Sequence, residues 1–258
     1  MAIITLTTDL GDKDIYQAAL KGSIYKMMPS VNVVDITHSV SAFNIQQAAF
    51  ILKNSFYYFP NNTVHLIGID TVYSEENRFL AIRYQSHFFV GADNGIFSLI
   101  FDEHPDAIVE INIMQDLKFL HFPLADIFVK AACHLADGGE LSEIGVPVAS
   151  IEKRMTLQPA VERNLIRGMV IYIDSFQNVI TNITKNFFNR VQQGRKFTLY
   201  FKRNETITQL SWHYNEVPEG EKLCMFGISD HLEIAINKGN ASGLLGLNLG
   251  DSVIIEFE

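Results

Sequence analysis

Short apolar runs alternate with segments of helical periodicity along the first half of the chain. The apolar runs predict strands at residues 3–7, 32–36, 64–69 and 108–113, and a hairpin from residues 79–84 and 87–90. Apolar positions at helical spacing predict helices at residues 15–28, 43–58 and 126–136, and one more that begins at Asn94. This alternation is typical of an α/β domain with a mostly parallel central sheet.

The second half of the chain has a different pattern. Short β-rich runs are separated by turn residues, and no long helix is predicted; the runs are residues 168–173, 179–183, 196–201, 205–212, 231–236 and 252–257. Such a pattern is typical of a small all-β barrel-like domain or a sandwich. We therefore predict an N-terminal α/β domain at residues 1–150, a linker at 151–165 and a C-terminal β-barrel domain at 166–258.

The composition argues against several functional classes. The net charge is −9 and the pI is near 5.4, so we expect no nucleic-acid partner. Cys133 and Cys224 lie far apart without metal-type spacing, which predicts free buried thiols in a reducing compartment. No cleavable leader is recognisable, and no uncharged run reaches the roughly 18 residues of a membrane-spanning helix. We expect a soluble cytoplasmic protein without a membrane partner, and we predict no metal site.

Polar loops follow the predicted strands of the first half, at the sheet edge where α/β proteins bind ligands. Asp9 ends the first strand; a carboxylate there can hold ribose hydroxyls, bind a hard cation or cap a helix. Asp70 and Arg78 flank a polar loop after the third strand and could form a catalytic pair, or a loop cap and a solvated charge. Asp93 and Asn94 follow the hairpin, where a tight turn with a helix cap is the alternative.

A further polar segment lies in the second half. Asp174, Phe176 and Asn178 follow a predicted strand, and an aromatic ring between a carboxylate and an amide suits an adenine or similar ring. A β-hairpin turn with a packed Phe is the alternative. We interpret His38 as structural. The chain has no Gly-x-Ser-x-Gly elbow, no nucleophilic triad and no phosphate-binding loop.

Several motifs occur in the order found in one known family. They lie at residues 6–11, 21–24, 34–38, 59–60, 93–95, 126–128, 174–178, 180–182, 232–235 and 239–241. On these motifs the chain resembles the S-adenosylmethionine hydroxide adenosyltransferases, which are related to fluorinase and chlorinase. The match covers nearly the full chain.

The resemblance implies both architecture and activity. It implies an α/β N-terminal domain, a β-barrel C-terminal domain, and a homotrimer that holds its adenosine-type ligand between the N-terminal domain of one subunit and the C-terminal domain of its neighbour. The implied reaction is substitution by water at ribose C5′ of S-adenosylmethionine, which yields adenosine and methionine. S-adenosylmethionine is then the substrate, and no cofactor is expected.

The resemblance also implies roles for individual residues. Asp70 would be catalytic together with Arg78, Asp9 would hold the ribose hydroxyls, and Asp174 would contact the amino end of the methionine. Phe176 and Asn178 would bind the adenine side. The remaining implied substrate-binding residues are Phe43, Asp93, Asn94, Phe122, Ser229, Glu233 and Asn237.

The chain departs from the family pattern near the expected reaction centre. Pro123 stands where the family has a water-activating His, and His121, two residues earlier, is the candidate replacement. The loop between Asp70 and Arg78 is one residue longer than the family's. Two hypotheses follow: a working hydrolase with a modified catalytic trio, or a catalytically impaired protein that binds an adenosine compound.

A second group of departures lies in the last binding segments. Gly227-Ile228 replaces the family's Asn-Ser pair, which removes a hydroxyl expected near the methionine carboxylate, and Ser229 is its candidate substitute. Gln177 replaces a Gly beside the adenine-side residues.

Overall fold

The computed structural model describes residues 2–71, 78–202 and 205–258. Residues 72–77, most of the polar loop between Asp70 and Arg78, lie outside the described residues. The chain forms two compact units, Met1–Met155 and Thr156–Glu258.

The first unit is built on a mixed β-sheet with helices on both faces. Its strands are β1 (Ile3–Thr8), β2 (Asn32–Thr37), β3 (Val64–Gly68), β4 (Phe79–Tyr84), β5 (His87–Ala92), β6 (Ala107–Ile111) and β7 (Gly145–Pro147). Its α-helices are α1 (Ile15–Met27), α2 (Ile45–Lys53), α3 (Ile96–Ile100) and α4 (Ile127–Ala136).

The strand order β2-β1-β3-β5-β4-β6-β7 explains where polar residues collect. Strands β2, β1, β3 and β5 are parallel, whereas β4, β6 and β7 extend the sheet by antiparallel pairs. The two-residue turn between β4 and β5 places Gln85 and Ser86 at positive φ, as a tight hairpin requires. The α/β prediction is confirmed, and the carboxyl ends of the four parallel strands meet at one edge.

Strand β3 shows how the sheet is held between two cores. Leu66 packs into the cluster that includes α1 and α4, and Ile67 packs into the cluster that includes α2 and α3. A parallel strand covered on both faces is apolar in nearly every position. The exception is His65, whose Nδ1 lies 2.7 Å from Thr5 Oγ1 and whose Nε2 lies 3.1 Å from Nδ1 of His87.

The helix predicted at residues 43–58 is shorter than expected. The α-helix covers only Ile45–Lys53, and a separate 3₁₀ turn covers Phe56–Tyr58. Asn44 caps the start, because its side chain accepts a hydrogen bond from Gln47 N at 3.0 Å. At the other end, the Asn54 side-chain amide donates to the carbonyl of Phe50, which closes the last turn.

The second unit is an antiparallel barrel-like sheet, as predicted. Its strands are β8 (Ala160–Glu162), β9 (Leu165–Ile173), β10 (Val179–Thr184), β11 (Phe197–Phe201), β12 (Glu205–Ile207), β13 (Lys222–Phe226), β14 (His231–Ile236) and β15 (Ser252–Phe257). The order is β12-β11-β15-β9-β10-β14-β13, and β8 pairs with β9. A bridge between Leu210 and Cys224 brings the two edges together and nearly closes the barrel.

Several elements of this unit differ from the prediction. Helices α5 (Lys185–Gln192) and α6 (Ala241–Leu245) and strand β13 were not predicted, and the strand expected at 205–212 ends at Ile207. Strand β8 lies within the stretch predicted as linker, whose boundaries stay a prediction. Cys133 and Cys224 are free and buried, as expected.

Candidate functional site

Asp9 lies at the carboxyl edge of the first unit and organises a neighbouring loop. Its Oδ2 accepts a hydrogen bond from Phe43 N at 2.8 Å. Phe43 adopts a φ of 62° and its side chain is 66% exposed, an unfavourable arrangement for an aromatic residue. A residue held in strain with its ring in solvent is typical of a ligand-binding position.

Asp70 is near enough to Asp9 for its negative charge to affect the pKa of Asp9. Burial raises the pKa of Asp9, the Phe43 hydrogen bond opposes this, and the charge of Asp70 raises it further. Asp70 has a φ of 47°, so β3 ends sharply and the chain turns at the sheet edge. The Asn94 side-chain amide donates to the carbonyl of Ile69 at 3.0 Å and links the ends of β3 and β5. Asp9, Asp70 and Asn94 are therefore brought together, as their places after parallel strands predict.

Arg78 makes contacts that do not involve Asp70. Its Nη2 lies 2.5 Å from Oδ2 of Asp93, whose side chain is only 3% exposed, and 3.2 Å from the carbonyl oxygen of Ser150. Asp93 Oδ1 also accepts a hydrogen bond from Glu152 N at 2.8 Å. The pair thus fastens the chain around residues 150–152 to the end of β5, so Arg78 and Asp93 have a structural task at this edge.

The segment that contains the replaced family His packs at the same edge. Pro123 and Leu124 are buried, and a Cβ on Gly68 would lie 2.5 Å from Leu124 Cδ2, so only Gly allows this approach. The Phe122 ring meets Tyr16 edge-to-face at 5.5 Å between centroids. His121 is exposed, and no hydrogen bond from another described residue ties it to the edge. The segment brings Phe122 to the edge but supplies no bound imidazole there.

A row of polar side chains lies beneath the Asp9 loop, and the sequence did not predict it. His38 is buried; its Nδ1 lies 2.6 Å from Thr8 Oγ1 and its Nε2 lies 3.1 Å from Asp35 Oδ1. Lys21 Nζ binds the other Asp35 oxygen at 2.6 Å. Burial acts to raise the pKa of Asp35, but Lys21 and His38 lower it. His38 therefore has the structural role predicted for it.

In the second unit, Asp174 and Asn178 form one turn after β9. Asp174 Oδ1 accepts from Asn178 N at 2.8 Å and Oδ2 accepts from Asn178 Nδ2 at 3.1 Å. Gln177 has a φ of 66°, which explains why a Gly suits this position in the family pattern. The turn leaves the Phe176 side chain 81% exposed. The packed Phe of the alternative interpretation is not observed, and the ring is exposed to solvent.

Glu233 on β14 lies close to this turn. It is 6% exposed, and its Oε1 accepts a hydrogen bond from Tyr214 Oη at 2.7 Å. Burial raises the pKa of Glu233, the Tyr214 hydrogen bond lowers it, and the charge of Asp174 raises it. Burial and Glu233 likewise raise the pKa of Tyr214. Tyr214 was missed because it lies in an irregular segment with no periodicity.

The last two predicted residues occupy opposite ends of β14. Ser229 lies in the turn before the strand, and its carbonyl accepts from His231 Nδ1 at 2.7 Å. Asn237 follows the strand, four residues or about 13 Å beyond Glu233 along an extended chain. Its side-chain amide donates to the carbonyl of Val217 at 2.8 Å. The structure therefore does not bring Asn237 to the Asp174–Glu233 cluster.

Comparison with known proteins establishes the family. Residues 4–145 match the N-terminal domain of the SAM (S-adenosylmethionine) hydroxide adenosyltransferases, and residues 168–254 match their C-terminal domain. This chain belongs to the SAM hydroxide adenosyltransferase family. The resemblance expected from the motifs is thereby confirmed.

Individual relatives agree over almost their whole length. The (R)-S-adenosyl-L-methionine hydrolase of Methanocaldococcus jannaschii is 28% identical, over 99% of this chain and 96% of the relative. The hydrolase of the same name from Thermus thermophilus is 28% identical, over 97% and 98%. The crystal structure of an uncharacterized conserved protein from Thermotoga maritima matches with a TM-score of 0.88 and 29% identity, over 98% and 99% of the two chains.

Among the described residues, no group of three His, Cys, Asp or Glu side chains is placed to hold a metal ion. In the same part of the chain, no helix combines the length and apolar character needed to cross a bilayer.

Proposed function

We propose that this protein cleaves S-adenosylmethionine with water to adenosine and methionine. The observation that carries the proposal is the pairing of Asp9 and Asp70 at the ends of adjacent parallel strands, where the charge of one raises the pKa of the other. Two relatives that match along almost their whole length are named as hydrolases of the (R) form of this molecule, which supports the same activity here.

The chemistry demands little acid catalysis. An oxygen lone pair of water attacks ribose C5′ as the C5′–S bond breaks. The electron pair of the breaking C5′–S bond passes to sulfur, which leaves as a neutral thioether. The attacking water loses a proton, and Asp70 is the carboxylate proposed to orient that water and accept the proton. Asp9 holds the ribose hydroxyls, so C5′ is presented to the water in line with the leaving sulfur.

The remaining predicted residues receive supporting roles in this proposal. Phe43 and Phe122 cover the nucleoside from the first unit, and Asn94 holds the Asp70 turn. From the second unit, Phe176 and Asn178 bind the adenine, and Asp174 with Ser229 and Glu233 binds the far end of the substrate. Arg78 and Asp93 act through the backbone that they fasten, and Asn237 supports the end of β14.

We further propose that the working form is a homotrimer, with the substrate held between the N-terminal domain of one subunit and the C-terminal domain of its neighbour. The exposed rings of Phe43 and Phe176, one in each unit, support an arrangement in which both contact the same nucleoside. Light scattering on the eluting protein would give three times the chain mass of 29.1 kDa. A monomeric mass with full activity would contradict the shared site.

A second candidate is a protein that binds an adenosine compound without turnover. The Arg78–Asp93 pair favours it, because Arg78 is engaged away from Asp70. So does His121, which is exposed while Pro123 occupies the family's His position.

One assay separates the two candidates. Purified protein is incubated with each sulfonium diastereomer of S-adenosylmethionine, adenosine and methionine are quantified together, and binding is measured by calorimetry. Equal amounts of both products support the hydrolase. Tight binding without products supports the binding protein, and neither binding nor products contradicts both.

A further inference from the structure

The proposed function leaves open which sulfonium compound fits the far end of the site, and Glu233 bears on that choice. Its Oε1 is used by Tyr214, whereas Oε2 accepts no hydrogen bond from the described residues. The residue is 6% exposed. A largely buried carboxylate whose one hydrogen-bond partner is a neutral hydroxyl is stabilised by a ligand that brings it a positive charge.

Negative charge accumulates around Glu233. Asp174 is close enough for its charge to affect Glu233, Tyr214 and Tyr172. No Lys or Arg among the described residues forms an ion pair with Asp174 or Glu233. Two neighbouring carboxylates without a paired cation attract a positively charged group and repel a negative one.

Gly227 determines where the Glu233 carboxylate can lie. A Cβ on Gly227 would be 2.7 Å from Glu233 Oε2, so a side chain here and this position of the carboxylate exclude each other. The next residue, Ile228, is 83% exposed and offers no polar atom on its side chain. Where the family pattern has Asn-Ser, this chain thus has an apolar side chain and an open position faced by a carboxylate.

We propose that the far end of this site selects an adenosyl sulfonium whose side chain carries an ammonium group and no carboxylate. The ammonium donates to Glu233 Oε2 and to Asp174, and its positive charge offsets the two negative charges. The carboxylate of S-adenosylmethionine would enter the same negative field, where residues 227 and 228 supply no side-chain hydroxyl or amide and the Ser229 hydroxyl is its one candidate donor among the predicted binding residues. This inference rests on the proposed function for the place of the ligand, but it concerns specificity alone.

The test compares two substrates that differ only in the carboxylate. These are S-adenosylmethionine and its decarboxylated aminopropyl analogue, each supplied as the mixture of sulfonium configurations. We expect kcat/KM for adenosine release to be at least about tenfold higher for the analogue, which corresponds to one ion-pair-sized interaction. A preference of tenfold or more for S-adenosylmethionine, or equal values, overturns the inference while adenosine release still supports the proposed function.

Variants show whether Glu233 carries the selection. Glu233→Gln keeps an acceptor for Tyr214 and should raise KM for the analogue about tenfold, with a smaller change for S-adenosylmethionine. The double variant Gly227→Asn, Ile228→Ser should shift the preference towards S-adenosylmethionine. Glu256→Gln, on an exposed position of β15, is the matched control and should change neither value. An unchanged preference in Glu233→Gln overturns the inference even if the double variant fails to fold.

Binding separates failure of the inference from failure of the proposed function. If neither compound yields adenosine, the ratio of the two dissociation constants from calorimetry replaces kcat/KM. Tighter binding of the analogue then supports the inference although the hydrolase proposal has failed. Equal or weaker binding of the analogue, or no binding of either compound, overturns the inference.

Discussion

The two units present carboxylates in opposite ways. In the first unit, Asp9 and Asp70 follow adjacent parallel strands, and backbone geometry alone brings them to one edge. In the second unit, Glu233 lies within a strand and depends on Tyr214, 19 residues earlier, for its hydrogen bond. The first arrangement follows from topology, whereas the second depends on particular side chains. Specificity can therefore change in the second unit without any change in the first.

The largest expected effect tests the first unit. Asp70→Asn removes the proton acceptor but keeps the shape, and kcat for adenosine release should fall at least about 100-fold. Adenosine binding, followed by thermal shift, should persist because Asp9 and Phe43 remain. Asp137→Asn, an exposed Asp beyond the end of α4, is the control. A wild-type rate in Asp70→Asn would show that Asp70 is not the base.

The second prediction concerns acid stability. Burial lowers the pKa of His65 from 6.5 to about 3, and the adjacent His87 acts in the same direction. Between pH 6.5 and 3, His65 is protonated in the unfolded chain but remains neutral in the folded chain. The free energy of unfolding therefore decreases as the pH falls from 6.5 towards 3. At pH 4.5 the loss is about 2–3 kcal/mol relative to pH 7.5.

Urea denaturation at several pH values measures this loss. His65→Asn should flatten the slope between pH 6.5 and 4.5, whereas His104→Asn, at an exposed position, should leave it unchanged. Glu233 contributes with the opposite sign. Its raised pKa gives stability that is present below its unfolded pKa and is lost as the pH rises through the folded value. A fall in pH should therefore destabilise the first unit through His65 and stabilise the second unit through Glu233. A change in stability of the same sign in both units would contradict this comparison.

A smaller effect is expected for Arg78, where stability and kcat together distinguish a structural role from a catalytic one. Arg78→Lys keeps a charge beside Asp93 but loses the simultaneous hydrogen bond to Ser150, so the free energy of unfolding should fall by about 1–2 kcal/mol. Because Arg78 is engaged away from Asp70, kcat should change by less than about threefold. Arg83→Lys on β4 is the control. A large loss of kcat at unchanged stability would place Arg78 in the catalytic step instead.

The smallest expected effect sharpens the role of Phe43. Phe43→Gly relieves the positive φ and should raise the free energy of unfolding by about 1 kcal/mol, while adenosine affinity falls about tenfold. Phe43→Ala should lose the same affinity without the gain in stability, since Ala keeps the strained backbone. Calorimetry and denaturation on both variants decide it. Unchanged affinity would mean that the exposed ring does not contact the nucleoside.

The polar residues at the carboxyl edge of the first unit were predictable because each lies directly after its strand in the sequence. Apolar runs mark β1 and β3, and the polar residues that follow them, Asp9 and Asp70, must lie at the carboxyl edge once the strands are parallel. Helix α5 was missed because only Phe188 is buried among its residues, although Thr184 caps it by accepting from Phe187 N at 3.3 Å. That cap was the available signal.

Other contacts could not be predicted from the sequence for a different reason. The pairing of Tyr214 with Glu233 and that of Arg78 with Asp93 join residues whose separation follows no helical or strand period. Only the folded backbone brings these partners within reach, and nothing in the order of amino acids distinguishes Asp93 from Asp70 as the partner of Arg78.

Residues 150–154 are bound to the end of β5, and these contacts determine where the chain can be divided to make chimaeras. A fragment that stops at residue 148 discards the Glu152 amide that donates to Asp93 and the Arg154 side chain that lies over Gly95. A fragment that stops at residue 155 retains both. The longer piece is the exchangeable module, so swaps with relatives should be joined after Met155 rather than at Pro147.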